Sequence, residues 1–205
     1  LVSESLFGIV LGARGSGKTA VSFRILEMVH KRGRRVGVLK PPSSIESLLP
    51  KWIDRIYSLD DIEKTDSYNG YFILADEAAL FINAREHMSL RNRILSKLFA
   101  ITRHKDISFL FITQVSALLD VNTLRFADYL IIKRPARFQA IFERTQFRDY
   151  LMNIRYLIDS YSKKYRVDYR ALAFIDSDYY QGVVKFKLPS FWSNDLSKAF
   201  SSLSI

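Results

Sequence analysis

The chain has 205 residues and no cysteine. That removes a disulfide-stapled scaffold and a thiolate metal site together. No apolar run approaches the ~20 residues that a membrane-crossing helix needs. The N-terminus enters a strand-length apolar run by Leu6 and lacks the basic-then-apolar plan of a secretory signal. A soluble, intracellular protein with no membrane span is therefore expected. Because the chain begins at Leu1, an initiator Met or a longer leader is expected to precede it. Histidine is scarce: His30, His87 and His104 show no metal-ligand spacing and read as structural or solvated. No nucleophile is paired with a base for covalent catalysis. Internal repeats, low-complexity tracts and a clear linker are also missing, so one compact domain over residues 1–205 is the default for this length.

Positive charge is what the chain has in excess. Thirty-one Lys and Arg against 21 Asp and Glu give a net charge of +10, while the 48% hydrophobic content is ordinary for a globular fold. Such a balance favours an acidic partner, nucleic acid first among them.

The most informative stretch is Gly12-Ala13-Arg14-Gly15-Ser16-Gly17-Lys18-Thr19. It fits glycine, four free positions, glycine, lysine and Ser/Thr, the pattern of a phosphate-binding loop. Leu6 to Leu11 is a strand-length apolar run, and Thr19 to Lys31 follows with Val21, Ile25 and Met28/Val29 on one helical face. The motif requires this order of strand, loop and helix. Glycines let successive N–H groups turn inward on phosphate oxygens, and the helix N-terminus adds its partial positive charge. Lys18 is placed to reach the β- and γ-phosphates of a nucleoside triphosphate, and the Thr19 hydroxyl to ligate Mg²⁺.

Lys31-Arg32-Gly33-Arg34 then supplies a glycine stop with basic residues against the helix dipole, read as capping and solvated surface. A second strand is expected over Arg35 to Lys40, ended by Pro41-Pro42. Ser43-Ser44 is positioned to cap a helical stretch through Ile56, and Asp60 to Lys64 reads as a polar connection.

Tyr71 to Ala75 is another apolar run of strand length, and it ends abruptly in Asp76-Glu77. A buried parallel strand delivers its last residues to the ligand crevice. There Asp76 would hold Mg²⁺ and Glu77 would polarise the attacking water; taken alone, the pair also suits the first turn of a helix. Ser89 to Arg103 is helical by period, and Ile107 to Ile112 is a buried strand ending in Thr113-Gln114. Gln114 has a donor and an acceptor to offer to the γ-phosphate or the water, with a plain turn residue as the alternative. Ala127 to Lys133 is read as a further strand. A long amphipathic helix is expected from Gln139 to Lys164, then a hairpin of 171–176 with 182–187 and a last helical stretch after Trp192.

The phosphate loop, the acid-tipped Leu74-Ala75-Asp76-Glu77 and Thr102-Arg103-His104-Lys105 leading through Ile107 to Ile112 into Thr113-Gln114 together resemble the FtsK/HerA superfamily of P-loop ATPases. Within it they are most similar to the compact genome-packaging ATPases of double-stranded DNA viruses, poxvirus-type and archaeal-virus members included. The resemblance covers residues 6–133, with 134–205 read as a C-terminal helix and hairpin extension. It implies an α/β, RecA-like fold in three layers with a mainly parallel sheet, and the strand 107–112 lying between the loop strand and the Asp76 strand. It also implies ATP and Mg²⁺ as cofactors and a homo-oligomeric ring, hexamer or pentamer, that drives double-stranded DNA through its pore. Capsid or membrane-associated viral proteins are the further partners, and host cytoplasm or the virion the location. No DNA-guiding accessory domain is recognisable.

Two other classes stay open. One is a phage assembly ATPase resembling the zonula occludens toxin-like proteins; the other is a P-loop kinase, for which Arg134-Pro135-Ala136-Arg137 imitates an arginine lid. In a ring, a neighbouring subunit's arginine can stabilise the transition state. Arg103 is the leading candidate, with Arg85 and Arg91 behind it.

Overall fold

The computed structural model describes residues 5–76, 88–113, 127–137 and 145–202. In chain order its elements are β1 (Phe7–Leu11), α1 (Lys18–His30), β2 (Val36–Leu39), α2 (Ser43–Glu46), β3 (Ile53–Ile56), α3 (Leu59–Lys64), β4 (Phe72–Asp76), α4 (Met88–His104), β5 (Ser108–Ile112), β6 (Tyr129–Ile132), α5 (Thr145–Tyr165), β7 (Leu172–Ser177), β8 (Tyr180–Lys185) and α6 (Asn194–Ser202).

Residue alternation in the central strands sets the architecture. Phe7, Ile9 and Leu11 of β1, Ile73 and Ala75 of β4, and Phe109 and Phe111 of β5 pack into one core cluster. Val10, Phe72, Leu74, Leu110 and Ile112, their immediate neighbours in sequence, pack into another. Strands apolar on both faces must be covered on both, which is the condition for a parallel sheet between two helical layers. Against the first cluster lie Ile62 of α3, Leu98 and Ile101 of α4, and Leu151, Ile154 and Ile158 of α5. Against the second lie Val21, Phe23, Ile25, Leu26 and Val29 of α1, with Ile45 of α2 and Leu196 of α6. The result is the expected three-layer α/β sandwich.

The eight strands form one sheet in the order β3-β2-β4-β5-β1-β6-β7-β8. Pairing is parallel from β3 through β6 and antiparallel at β6–β7 and β7–β8. The strand Ser108–Ile112 does lie between the loop strand and the Asp76 strand, in register Val10 with Ile112 and Asp76 with Ile112.

Three local readings change. The helix expected from Ser43 through Ile56 stops after Glu46, and Ile53–Ile56 is an edge strand paired with β2. Pro50 prevents an unbroken helix. Ile53 and Ile56 are fully buried, and the Arg55 guanidinium donates to the Glu46 and Leu49 carbonyls at 2.8 and 2.7 Å, fastening the turn that replaces the helix. The polar connection at 60–64 is α3, capped where the Ser58 hydroxyl accepts from Asp60 N–H at 3.1 Å. Arg34, read as surface, is 9% exposed and donates to the carbonyls of Gly70, Tyr71 and Asp106, tying the start of β4 to the turn before β5. The glycine stop holds: Gly33 has φ 89°, and its N–H donates to His30 O at 2.8 Å.

One buried carboxylate binds the C-terminal segment to α1. Glu27 is 1% exposed and accepts from Arg24, from Lys31 at 2.7 Å, and from both the backbone N–H and the hydroxyl of Ser190. Burial alone would raise its pKa, but the donors from Lys31, Ser190 and Arg24 outweigh it and hold the carboxyl at about 2. A depressed pKa contributes stability that is present above the unfolded value of 4.5 and lost as pH falls toward 2. Glu27→Gln is expected to destabilise the fold by on the order of 2 kcal/mol at neutral pH. It should also flatten the acid limb of the stability curve; denaturant titrations between about pH 2 and 7 measure both, and an unchanged acid limb would remove Glu27 from this role.

Candidate active site

Parallel pairing brings several chemically distinct residues to one edge of the sheet. β1 ends at Leu11 and hands over to Gly12; β4 ends in Asp76; β5 leads into Thr113, whose N–H donates to Val10 O at 3.0 Å; β6 leads into Lys133, whose N–H donates to Leu11 O at 2.7 Å. A carboxylate, the strand that leads into Thr113, the phosphate loop and a lysine thus stand side by side.

The loop has the backbone conformation that phosphate binding needs. Gly12, Gly15 and Gly17 have φ of 147°, 70° and 90°, in the region that favours glycine. Gly17 is the left-handed N-cap of α1 and offers no side-chain cap, and the first turn of the helix holds no acid. With neither a side-chain cap nor an acid in place, the positive end of the helix dipole faces the loop and favours an anion there. Lys18 is 7% exposed, and its ammonium donates to Gly12 O at 2.8 Å and Ala13 O at 3.0 Å, curling the loop around a positive charge. The Ser16 hydroxyl is 2% exposed and is one of two buried side-chain groups without a hydrogen-bond partner among the described residues. Such an atom costs stability unless a ligand satisfies it.

In front of the loop opens a cleft of about 500 Å³, whose walls include Arg14, Lys18, Thr19, Lys40, Asp76 and Arg170. Thr19 and Asp76 therefore share one cavity with the loop. A hydroxyl and a carboxylate are hard oxygen donors, and Mg²⁺ is held by one or two such groups together with substrate phosphates rather than by an all-protein cage. The donor set fits that ion, and no cluster of three or more His, Cys, Asp or Glu exists among the described residues to favour another arrangement.

Gly12, Ala13, Arg14, Gly15, Ser16, Gly17, Lys18, Thr19 and Asp76 are thus brought together. Glu77, Gln114 and Arg85 lie outside the described residues, as does the side chain of Arg91. Arg103 is exposed in the last turn of α4. Lys105, two residues on, accepts from Gly70 N–H just before β4, so Arg103 sits at the edge where the parallel strands begin, opposite its own chain's loop. Any contact with nucleotide would have to be made in trans.

Arg134 does not behave as a lid residue. Its guanidinium is bidentate to Asp159 of α5 at 2.6 and 3.1 Å, and its carbonyl accepts from Ala13 N–H at 3.4 Å. Two residues that sequence reasoning passed over also stand at the loop. Lys133 is 1% exposed beneath it, and the Arg170 carbonyl packs against Gly17, where a Cβ would meet it at 3.1 Å. The available signal for Lys133 was its place, a lysine ending an apolar strand at the same edge as Asp76.

These elements define a RecA-like P-loop NTPase fold. No protein-family model matches the chain, and no curated protein matches it. Among solved structures, it is similar to the genome-packaging NTPase B204 of Sulfolobus turreted icosahedral virus 2 in complex with AMP: TM-score 0.56 at 15% identity, over 90% of this chain and 98% of that one. The AMPPCP complex of the same NTPase gives a TM-score of 0.54 at 15% identity, again over 90% and 98%. The pCW3 conjugation coupling protein TcpA, in its monomer form with ATPγS, gives 0.58 at 13% identity over 98% of this chain and 66% of that one. At these identities the likeness is one of fold.

A Cβ at Gly12 would lie 2.6 Å from Lys133 Cβ and 2.9 Å from Lys133 O, at a φ that L-residues rarely adopt. Gly12→Ala should therefore reshape the loop and weaken nucleotide binding by at least about tenfold, which calorimetric titration measures. Wild-type affinity in this variant would show that the loop geometry is not what binds.

Proposed function

We propose that the chain is an ATP-hydrolysing motor subunit that moves double-stranded DNA, a genome-packaging ATPase working as a homo-oligomeric ring. The observation that carries this reading is the alignment of the phosphate loop, Ile112 at the end of β5 and Asp76 at the end of β4 on three neighbouring strands around one cleft. Fold likeness over nearly the whole length of a packaging NTPase supports the motor reading over a kinase, and so does the engagement of Arg134 with Asp159 instead of the cleft. The net charge of +10 suits a polyanionic track.

In this mechanism the backbone of the loop around Gly15 and Gly17 and the Lys18 ammonium hold the β- and γ-phosphates. Thr19 and Asp76 would hold Mg²⁺, which neutralises charge on the phosphates when bound. Glu77, directly after Asp76, takes a proton from the attacking water, and Gln114, directly after Thr113, orients that water and senses the γ-phosphate. Arg103 of a neighbouring subunit is assigned the developing charge on the γ-oxygens.

The decisive experiment measures ATP hydrolysis with and without double-stranded DNA, alongside the mass of the assembly. A DNA-stimulated oligomer is expected; a DNA-indifferent monomer that phosphorylates a small substrate would sink the proposal. Within the same assay, Glu77→Gln should leave ATP binding intact and slow turnover by about 10²-fold or more, because an amide cannot accept the water's proton. Collapsed binding with surviving single-turnover chemistry would make Glu77 structural.

The trans arginine has its own test. Arg103→Ala and Lys18→Ala subunits, each inactive alone, should recover part of the activity when mixed, at interfaces that pair an intact loop with an intact arginine. Normal hydrolysis by an assembled ring of Arg103→Ala subunits would exclude Arg103.

A further inference from the structure

Lys133 is the most deeply buried cation among the described residues, and the mechanism above leaves it without a part. Its ammonium donates to two backbone carbonyls, Arg170 O at 2.7 Å and Leu172 O at 2.6 Å. Its side chain runs behind the phosphate loop. A Cβ on Gly12 would fall 2.6 Å from Lys133 Cβ, and one on Gly17 would fall 3.6 Å from Lys133 Nζ. The glycines therefore clear space on two sides, for phosphate in front and for Lys133 behind.

Resting on the nucleotide-site reading, we propose that Lys133 is a second cation of the phosphate site, a positioning residue that acts on bound nucleotide through the loop from its buried side, so that nucleotide binding draws a proton onto it.

The chemistry allows this without any loss of structure. A neutral amine keeps two N–H groups, enough for the carbonyls of Arg170 and Leu172, so deprotonation removes charge while leaving both contacts in place. Burial lowers the pKa of Lys133, Asp168 raises it and Lys18 lowers it again, leaving it at about 8. The charged groups around it are Lys18 on α1, Asp168 and Arg170 in the turn before β7, and Lys187 just after β8. Polyphosphate entering the loop adds negative charge through a region that excludes water, which favours the protonated form.

The sign follows from linkage. A group whose pKa rises on binding strengthens binding fully while it is protonated. Affinity should therefore be flat below about pH 8 and fall as pH rises through 8, by at most about tenfold per pH unit for one proton.

The test is calorimetric titration of the full chain with ADP in EDTA, from about pH 7 to 9.5, in pairs of buffers that differ in ionisation enthalpy. Expected is an uptake approaching one proton between about pH 8 and 9 with the matching fall in affinity. Lys133→Met, similar in length and uncharged, should remove both the uptake and the pH slope while binding ADP more weakly at pH 7. Proton uptake that persists in a folded Lys133→Met variant places the proton elsewhere and overturns the proposal. Should that variant not fold, the wild-type profile decides: ADP binding with no uptake and no slope overturns it alone. ADP that fails to bind wild type at any pH overturns this proposal and the nucleotide reading together.

Discussion

The structure depends on one constraint, that its central strands are apolar on both faces. Val10 has no more access to water than Ile9, nor Phe72 than Ile73, so each strand needs a helix above and another below. Parallel pairing with crossover connections meets that need, and it forces every strand from β3 through β6 to end at the same edge. The site follows from this. Gly12, Asp76, Thr113 and Lys133 are far apart in sequence and adjacent in space because β1, β4, β5 and β6 run the same way. The opposite edge is closed by different means: Arg34 collects three carbonyls there, where the backbone turns between strands.

How far the sequence could be read depended on whether a feature is local. The phosphate loop was legible because its chemistry fixes residue types at fixed spacing, and the three positive-φ glycines explain why no other residue would serve. Asp76 was legible as the acid that ends an apolar run. β3 was hidden because only four residues form it and Ser43-Ser44 just upstream resemble a helix start; Pro50 was the signal that outweighed them. Strand order rests on contacts between distant segments, so it came from resemblance and not from periodicity. Arg34 and Lys133 were missed for a shared reason. A cation beside a strand or a glycine stop reads as surface, and burial sustained by carbonyl oxygens leaves no trace in composition.

The C-terminal extension, where the resemblance was thinnest, turns out to be built into the site. β7 and β8 extend the same sheet beyond β6, so the hairpin shares backbone hydrogen bonds with the strand that ends in Lys133. Ser190 meets Glu27 on α1, and Leu188, Trp192 and Phe200 form part of the cleft wall beyond the loop. Removing the extension would leave Glu27 with half its donors, Lys133 without either carbonyl, and the cleft open on one side.

These contacts also settle which parts must move together. Arg170 O touches the loop at Gly17 and accepts from Lys133, while Leu172, the first residue of β7, accepts from the same ammonium. A displacement of the loop on binding phosphate cannot be absorbed by a soft side chain at this point, because the partners are backbone atoms on both sides and the lysine between them is close-packed. It has to be passed on to the turn at 168–172 or resisted by it. The turn in turn joins α5 to the hairpin, and α5 is fixed to the residues after β6 by Arg134 and Arg155 on Asp159 and Pro135. This chain of short polar contacts links the phosphate loop to α5 and the hairpin.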